Sequence, residues 1–117
     1  MKKVYLLASC STCQRILKEI NAPDFVLQDI KTEAISESQL EEMYKFTSSY
    51  EALFSKRAMK YKSMGLKDKN LQEEDFKNLI LEEYTFLKRP VFLINEEVYV
   101  GNSKKVVEAV KNTLANE

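Results

Sequence analysis

Apolar and polar positions alternate along this chain in short, well-separated blocks, and their spacing predicts most of its elements. The run Val4-Tyr5-Leu6-Leu7-Ala8 is continuous and brief, as expected of a buried strand. Gln14-Arg15-Ile16-Leu17-Lys18-Glu19-Ile20 follows at helical spacing, and Asn21-Ala22-Pro23 stops it. Phe25-Val26-Leu27-Gln28-Asp29-Ile30 reads as a second strand. A strand, a helix and a strand in so little chain predict a βαβ unit with parallel strands and a right-handed crossover.

The middle of the chain reads as helical. Ser36-Glu37-Ser38-Gln39 has the form of a capping box, opening a helix with Leu40, Met43 and Tyr44 on one face. Thr47-Ser48-Ser49 breaks it. From Tyr50 to Met64 the pattern predicts a further helix with Leu53, Phe54 and Tyr61 inward, closed by a cap at Gly65. After the polar connector Lys67-Asp68-Lys69-Asn70, Leu71 to Tyr84 predicts a third, carrying Phe76, Leu79, Ile80 and Tyr84. The acidic run Glu73-Glu74-Asp75 suits the positive end of that helix. Phe46, Tyr50, Phe54, Tyr61, Phe76 and Tyr84 are expected in the core, holding this region to the sheet.

Pro90 ends any helix before it. Val91-Phe92-Leu93-Ile94 and Glu97-Val98-Tyr99-Val100, separated by Asn95-Glu96, predict a β-hairpin. Gly101-Asn102-Ser103 punctuates, and Val106, Val107, Val110 and Leu114 mark a final amphipathic helix. The order is therefore βαβ, a helical middle, then ββα.

At 117 residues, 44% hydrophobic and 31% charged, the chain suits one globular domain with a single core. Its formal charges cancel, which argues for neither direct nucleic-acid binding nor attraction to a membrane. The opening Met1-Lys2-Lys3 leads into an apolar run too short for an export signal or a membrane span, so a reducing cytoplasm is the expected setting. Two cysteines are too few for a secreted disulfide scaffold.

Those two cysteines carry the chemistry. Cys10-Ser11-Thr12-Cys13 lies between the first strand and the first helix, with Cys10 at the helix N-terminus and Cys13 about one turn inside. Unpaired amides and the helix dipole favour a thiolate there, so Cys10 is expected to ionise below the free value of about 8.5. The chain has no histidine, which excludes Cys–His activation and His-ligated metal. With one CxxC and no other cysteine, a single chain cannot complete a thiolate zinc site, and only a metal shared between chains is left. Ser11 and Thr12 can supply hydroxyl and amide donors to a thiolate or anion, or can serve simply as good first-turn residues. Cys13 can act as a resolving thiol, a silent neighbour or a structural residue.

Arginine is scarce: Arg15, Arg57 and Arg89 are the only three among eighteen cations. A planar fork that grips oxyanions at two points is the usual reason to need one. Arg89, beside Pro90, is the best anion-site candidate, against the alternative of a surface ion pair. Arg15 reads as part of a solvated helix face. The Cys10-to-Arg15 spacing is one residue short of a Cys-x5-Arg phosphatase loop. Lys56, Arg57, Lys60 and Lys62 form a basic cluster that reads as solvated face before docking surface.

A βαβ and a ββα sharing one mixed four-stranded sheet, with a CxxC after the first strand and a proline before the third, is the thioredoxin arrangement, in which that proline is typically cis. The helical middle, about 32–87, is larger than such a connection needs. Cys10-x-x-Cys13, Leu53-Phe54-Ser55-Lys56-Arg57 followed by Tyr61-Lys62 and Gly65-Leu66, and Arg89-Pro90 entering a hairpin resemble the ArsC/Spx family of arsenate-reductase-like proteins. The resemblance spans nearly the whole chain and implies an α/β, thioredoxin-like single domain over 1–117 with an inserted helical subdomain.

In the reductase branch, the resemblance implies attack of Cys10 on arsenate, with Arg89 and Arg57 steadying the oxyanion. Glutathione and glutaredoxin, or a second protein thiol, complete the reduction, with no tightly bound cofactor. In the Spx branch it implies a Cys10–Cys13 disulfide switch in a regulator that binds the RNA polymerase α subunit. A general glutathione-linked thiol–disulfide oxidoreductase is the third option. The family's usual arginine after the last strand is replaced here by Gly101-Asn102-Ser103, with Lys104 and Lys105 nearest, and Ser55 stands where many reductases place another anion contact. The loop Thr47–Glu51 lacks the glycine that serves partner docking in Spx proteins.

Overall fold

The computed structural model describes residues 2–21 and 23–117; Met1 and Ala22, which belong to the opening run and the first helix stop read above, lie outside the described residues. In chain order the elements are β1 (Lys2–Leu6), α1 (Ser11–Ile20), β2 (Val26–Asp29), α2 (Glu37–Thr47), α3 (Met59–Ser63), α4 (Glu73–Glu82), β3 (Val91–Ile94), β4 (Glu97–Val100) and α5 (Lys104–Ala115). Short 3-10 turns occupy Glu51–Leu53, Leu66–Asp68 and Tyr84–Phe86. The chain divides into two compact units, residues 1–33 with 89–117, and residues 34–88.

The first unit is a mixed four-stranded sheet in the order β2-β1-β3-β4, an α/β, thioredoxin-like arrangement. β1 runs parallel to β2, with Val4 opposite Leu27, and antiparallel to β3, with Val4 opposite Phe92. β3 and β4 form the hairpin, turning at Asn95 with φ +56°. All four residues of β3 are buried, as suits a strand flanked on both sides.

Because side chains alternate across a strand, Val4 and Leu6 of β1 share one face with Phe92 and Ile94 of β3. Cys13 and Ile16 from α1, Val107 and Val110 from α5, and Phe25 close over that face as one buried cluster. Phe25 meets Phe92 edge-on, ring centres 6.0 Å apart. Burial of each such side chain contributes about 1.5–3 kcal/mol, whereas an exposed ion pair contributes about 0–1. The cluster, and not the surface charges, therefore holds this unit. Cys13 is a fully buried member of it.

In the second unit, α2 opens on a reciprocal capping box: Ser36 Oγ accepts from the Gln39 amide, and Gln39 Oε1 accepts from the Ser36 amide, both at 3.1 Å. It closes at Ser48, which takes φ +56°. The continuous helix expected from Tyr50 to Met64 does not form. After the turn at Glu51–Leu53, Phe54 is extended and pairs as an antiparallel bridge with Leu87, and only Met59–Ser63 is α-helical. The reason is tertiary: Phe54 packs between Phe76 and Phe86, each 4.9 Å away, with Tyr61 at 5.8 Å. Backbone bonds from Ser55 to the Phe86 carbonyl (2.7 Å) and from Lys88 to the Leu53 carbonyl (2.8 Å) fasten that extended geometry.

The helix expected over Leu71–Tyr84 is shorter, because the Asp75 carboxylate accepts from the Gln72 amide at 2.7 Å and sets its start. Glu73 does more than complement a dipole, since its carboxylate accepts the Tyr50 amide at 2.6 Å and the Glu51 amide at 3.3 Å, capping a neighbouring turn. Of the six aromatics assigned to the core, Phe54 and Phe76 are buried and Tyr50, Tyr61 and Tyr84 half-buried. Phe46 is 44% exposed, at the solvent side of α2.

Candidate active site

Cys10 is the N-cap of α1, with φ −84° and ψ 116°. It is half-buried, and its carbonyl accepts the first helical bond, from the Gln14 amide at 3.1 Å. Ser11 is exposed at the first helical position, and Thr12 and Cys13 complete the first turn. No side-chain hydrogen bond meets strict cap geometry here. The Thr12 and Cys13 amides nonetheless bear on the Cys10 sulfur and favour its anion.

The two thiols differ sharply. Burial pushes the Cys10 thiol up, but the Cys13 amide, the Cys13 thiol, the Thr12 amide and the charge of Arg89 together outweigh it, so Cys10 ionises below its ordinary range. Cys13 is pushed up to about 11, first by burial and then by the proximity of Cys10, which the Leu7 backbone and Arg89 only partly oppose. One sulfur is thus set up as an anion and the other as a protonated thiol.

Arg89 precedes the Pro90 that leads into β3, is half-buried, and has its Nε out of contact with solvent. Its peptide bond to Pro90 is cis. The Pro90 carbonyl accepts the Gly101 amide at 2.9 Å, so the entry to β3 is tied to the exit of β4. Cys10, Thr12, Cys13, Arg89 and Pro90 all belong to the first unit. Arg57 belongs to the second, exposed in the turn after Ser55. Arg15 is 65% exposed on α1 and lies 3.8 Å from Glu19, one helical turn on. Lys56 and Lys60 of the basic cluster are bound to Glu51 and Glu83.

Two residues with no sequence signal brace the turn that carries Cys10. Gln14 Nε2 donates to the Ala8 carbonyl at 2.9 Å, and Asp29 Oδ1 accepts the Ala8 amide at 3.4 Å and the Lys31 amide at 3.2 Å. Polar residues at the ends of a helix and a strand look like ordinary solvated positions. Only their backbone partners distinguish them. Among the described residues no group of three or more His, Cys, Asp or Glu is placed to hold a metal ion, and no helix is long and apolar enough to cross a membrane.

The global transcriptional regulator Spx of Streptococcus mutans is 24% identical over 112 residues, covering 93% of this chain and 82% of that one. An ArsC-family-related protein from Bacteroides fragilis superimposes with a TM-score of 0.79 at 21% identity, covering 93% of this chain and 97% of the other. The arsenate reductase from Vibrio cholerae gives 0.76 at 17% identity, with 95% of each chain covered. At such identities the superpositions establish a shared fold and nothing finer. A model of the ArsC family matches residues 5–110, nearly the whole chain, and the protein therefore belongs to the ArsC family.

Proposed function

We propose that this protein is a thiol-dependent oxidoreductase of the arsenate-reductase kind, with Cys10 as nucleophile and Cys13 as resolving thiol. The placement of the two sulfurs is the observation that carries it: Cys10 stands at the start of α1, where first-turn donors favour its thiolate, and Cys13 is fully buried one turn inside, where burial keeps it protonated. Arg89, with the Ser11–Thr12 turn, is the proposed oxyanion contact in the unit that carries Cys10.

The chemistry balances as follows. The Cys10 thiolate attacks dihydrogen arsenate, an S–As bond forms, and one oxygen leaves as water after taking a proton. Cys13 then attacks the Cys10 sulfur, an S–S bond forms, the S–As bond breaks, and its electron pair reduces arsenic to arsenite, which takes the Cys13 proton. Consuming the Cys10 charge removes two of the causes that hold Cys13 protonated, so the first step prepares the second. Two external thiols, from glutathione or glutaredoxin, return the disulfide to the dithiol; a reducing cytoplasm supplies them.

The test is NADPH oxidation coupled through glutathione and glutaredoxin, with arsenate as substrate and Cys10→Ser as control. Turnover that needs both arsenate and Cys10 supports the proposal; absence of turnover with a reactive Cys10 sinks the arsenate assignment. Turnover with mixed disulfides alone points to a general glutathione-linked oxidoreductase. The likeness to Spx favours one second reading, a redox-switched regulator that grips the RNA polymerase α subunit. Retention of that subunit by the protein, altered when Cys10 and Cys13 are oxidised, is its signature.

A further inference from the structure

We propose that Gln14 and Asp29 are positioning residues which clamp the Ala8–Cys10 turn from both sides and so aim the Cys10 sulfur at the first-turn amides of α1. Ala8 is held through both of its backbone groups: its carbonyl accepts from Gln14 Nε2 at 2.9 Å, and its amide donates to Asp29 Oδ1 at 3.4 Å. The Cys10 amide closes the same turn onto the Leu7 carbonyl at 2.9 Å. Asp29 is itself held, being opposite Leu6 in the β1–β2 ladder and accepting the Lys31 amide. Gln14 lies one turn beyond Cys10 on α1 and reaches back across the helix start.

The turn is short, exposed at Ala8 and Ser9, and without apolar anchorage at those two positions. Side-chain bonds to Ala8 therefore act beside the Cys10–Leu7 backbone bond in fixing its path into the helix. A thiolate gains from amide donors only when they point at it, so freedom in this turn translates into a weaker hold on the anion. The inference rests on Cys10 being the nucleophile, and the experiment separates the two.

The rate of Cys10 alkylation by iodoacetamide is measured against pH in the full chain, on a Cys13→Ser background where one thiol reports. Gln14→Ala and Asp29→Ala are expected to move the midpoint upward and slow alkylation at pH 7 about three- to tenfold, as a midpoint shift of roughly half to one unit implies. Asp29→Asn keeps an acceptor oxygen and is expected to alkylate at least as fast as the parent. The sign discriminates. Acting only through its charge, Asp29 would disfavour the nearby thiolate, and both Asp29 variants would alkylate faster. Gln14 is exposed, so Gln14→Ala gives a readout even if Asp29→Ala fails to fold. A parent midpoint at the ordinary thiol value would overturn the nucleophile assignment and the clamp with it. A low parent midpoint unchanged in Gln14→Ala would overturn the clamp alone.

Discussion

Cys13, wholly buried one turn inside α1, is the residue whose amide and thiol do most, against burial, to favour the thiolate of Cys10. The relationship is asymmetric by construction. Cys10 sits at the rim of the helix, where donors converge on it and water reaches it. Cys13 lies among Val4, Leu6, Ile16 and Phe92, where a buried charge is only partly offset, so it keeps its proton.

Alkylation profiles should therefore separate the two thiols, with Cys10 reacting from below the ordinary thiol range and Cys13 only toward about 11. Replacing Cys13 by Ala removes a donor to Cys10, so the Cys10 midpoint should rise; Cys13→Ser keeps a donor and should raise it less. Equal midpoints for the two parent thiols would count against the asymmetry.

The same contrast predicts opposite pH dependences of stability. Cys13 has its folded value raised, so its contribution is complete below the unfolded thiol value and is lost as pH climbs from there toward about 11. Cys10 has its folded value lowered, so its contribution is present above the unfolded value and is lost as pH falls through the folded one. Urea midpoints from pH 7 to 10 should fall more steeply for the parent than for Cys13→Ala. Cys10→Ser loses the opposing Cys10 contribution and also two of the lesser causes that raise Cys13, so its curve should likewise depart from that of the parent. Parallel curves for all three chains would refute the linkage.

Arg89→Lys keeps the charge and discards the planar fork. Hydrogen bonds to charged groups are worth about 1.5–3 kcal/mol, so loss of one from a bound oxyanion should weaken sulfate or arsenate binding roughly tenfold or more. Calorimetry measures this directly, and unchanged affinity removes Arg89 from the anion site. The Cys10 midpoint should move little, because the cation that acts on it is retained.

Phe54 stands at the centre of the second unit, in contact with Phe76, Phe86 and Tyr61. Truncating a buried Phe to Ala costs about 3–5 kcal/mol, and the loss of three ring contacts puts this site at the upper end. The urea midpoint of Phe54→Ala should drop accordingly, while Phe46→Ala, at an exposed position, should change it little. Similar losses at both positions would show that ring clustering is not what stabilises this unit.

The sheet and its helices were legible because each is a short block of one period. Val91–Ile94 is apolar throughout and is buried throughout, and Ser36 with Gln39 forms the capping box its spacing announces. Tyr50–Met64 misled because Leu53, Phe54 and Tyr61 stand at helical spacing, yet an extended Phe54 between two rings satisfies the same residues. At the candidate site, the cysteines announce themselves by spacing and by the helix that follows. Gln14 and Asp29 do not, since what they hold is the backbone of Ala8, and backbone partners leave no trace in side-chain pattern.

Gly101 offers a last test, of how backbone geometry supports the site. It takes φ +102°, a conformation that side-chain-bearing residues rarely adopt, although a Cβ there would meet nothing within 4 Å. Its amide is the one that holds the Pro90 carbonyl at 2.9 Å. Gly101→Ala should therefore cost about 1–3 kcal/mol through backbone strain alone, or else relax its φ and release Pro90. In the first case the urea midpoint falls and Cys10 titrates as in the parent. In the second the midpoint falls less, and the Cys10 titration shifts because Arg89, adjoining Pro90, no longer keeps its place. An alanine variant with both quantities unchanged would show that neither the strain nor the tie matters.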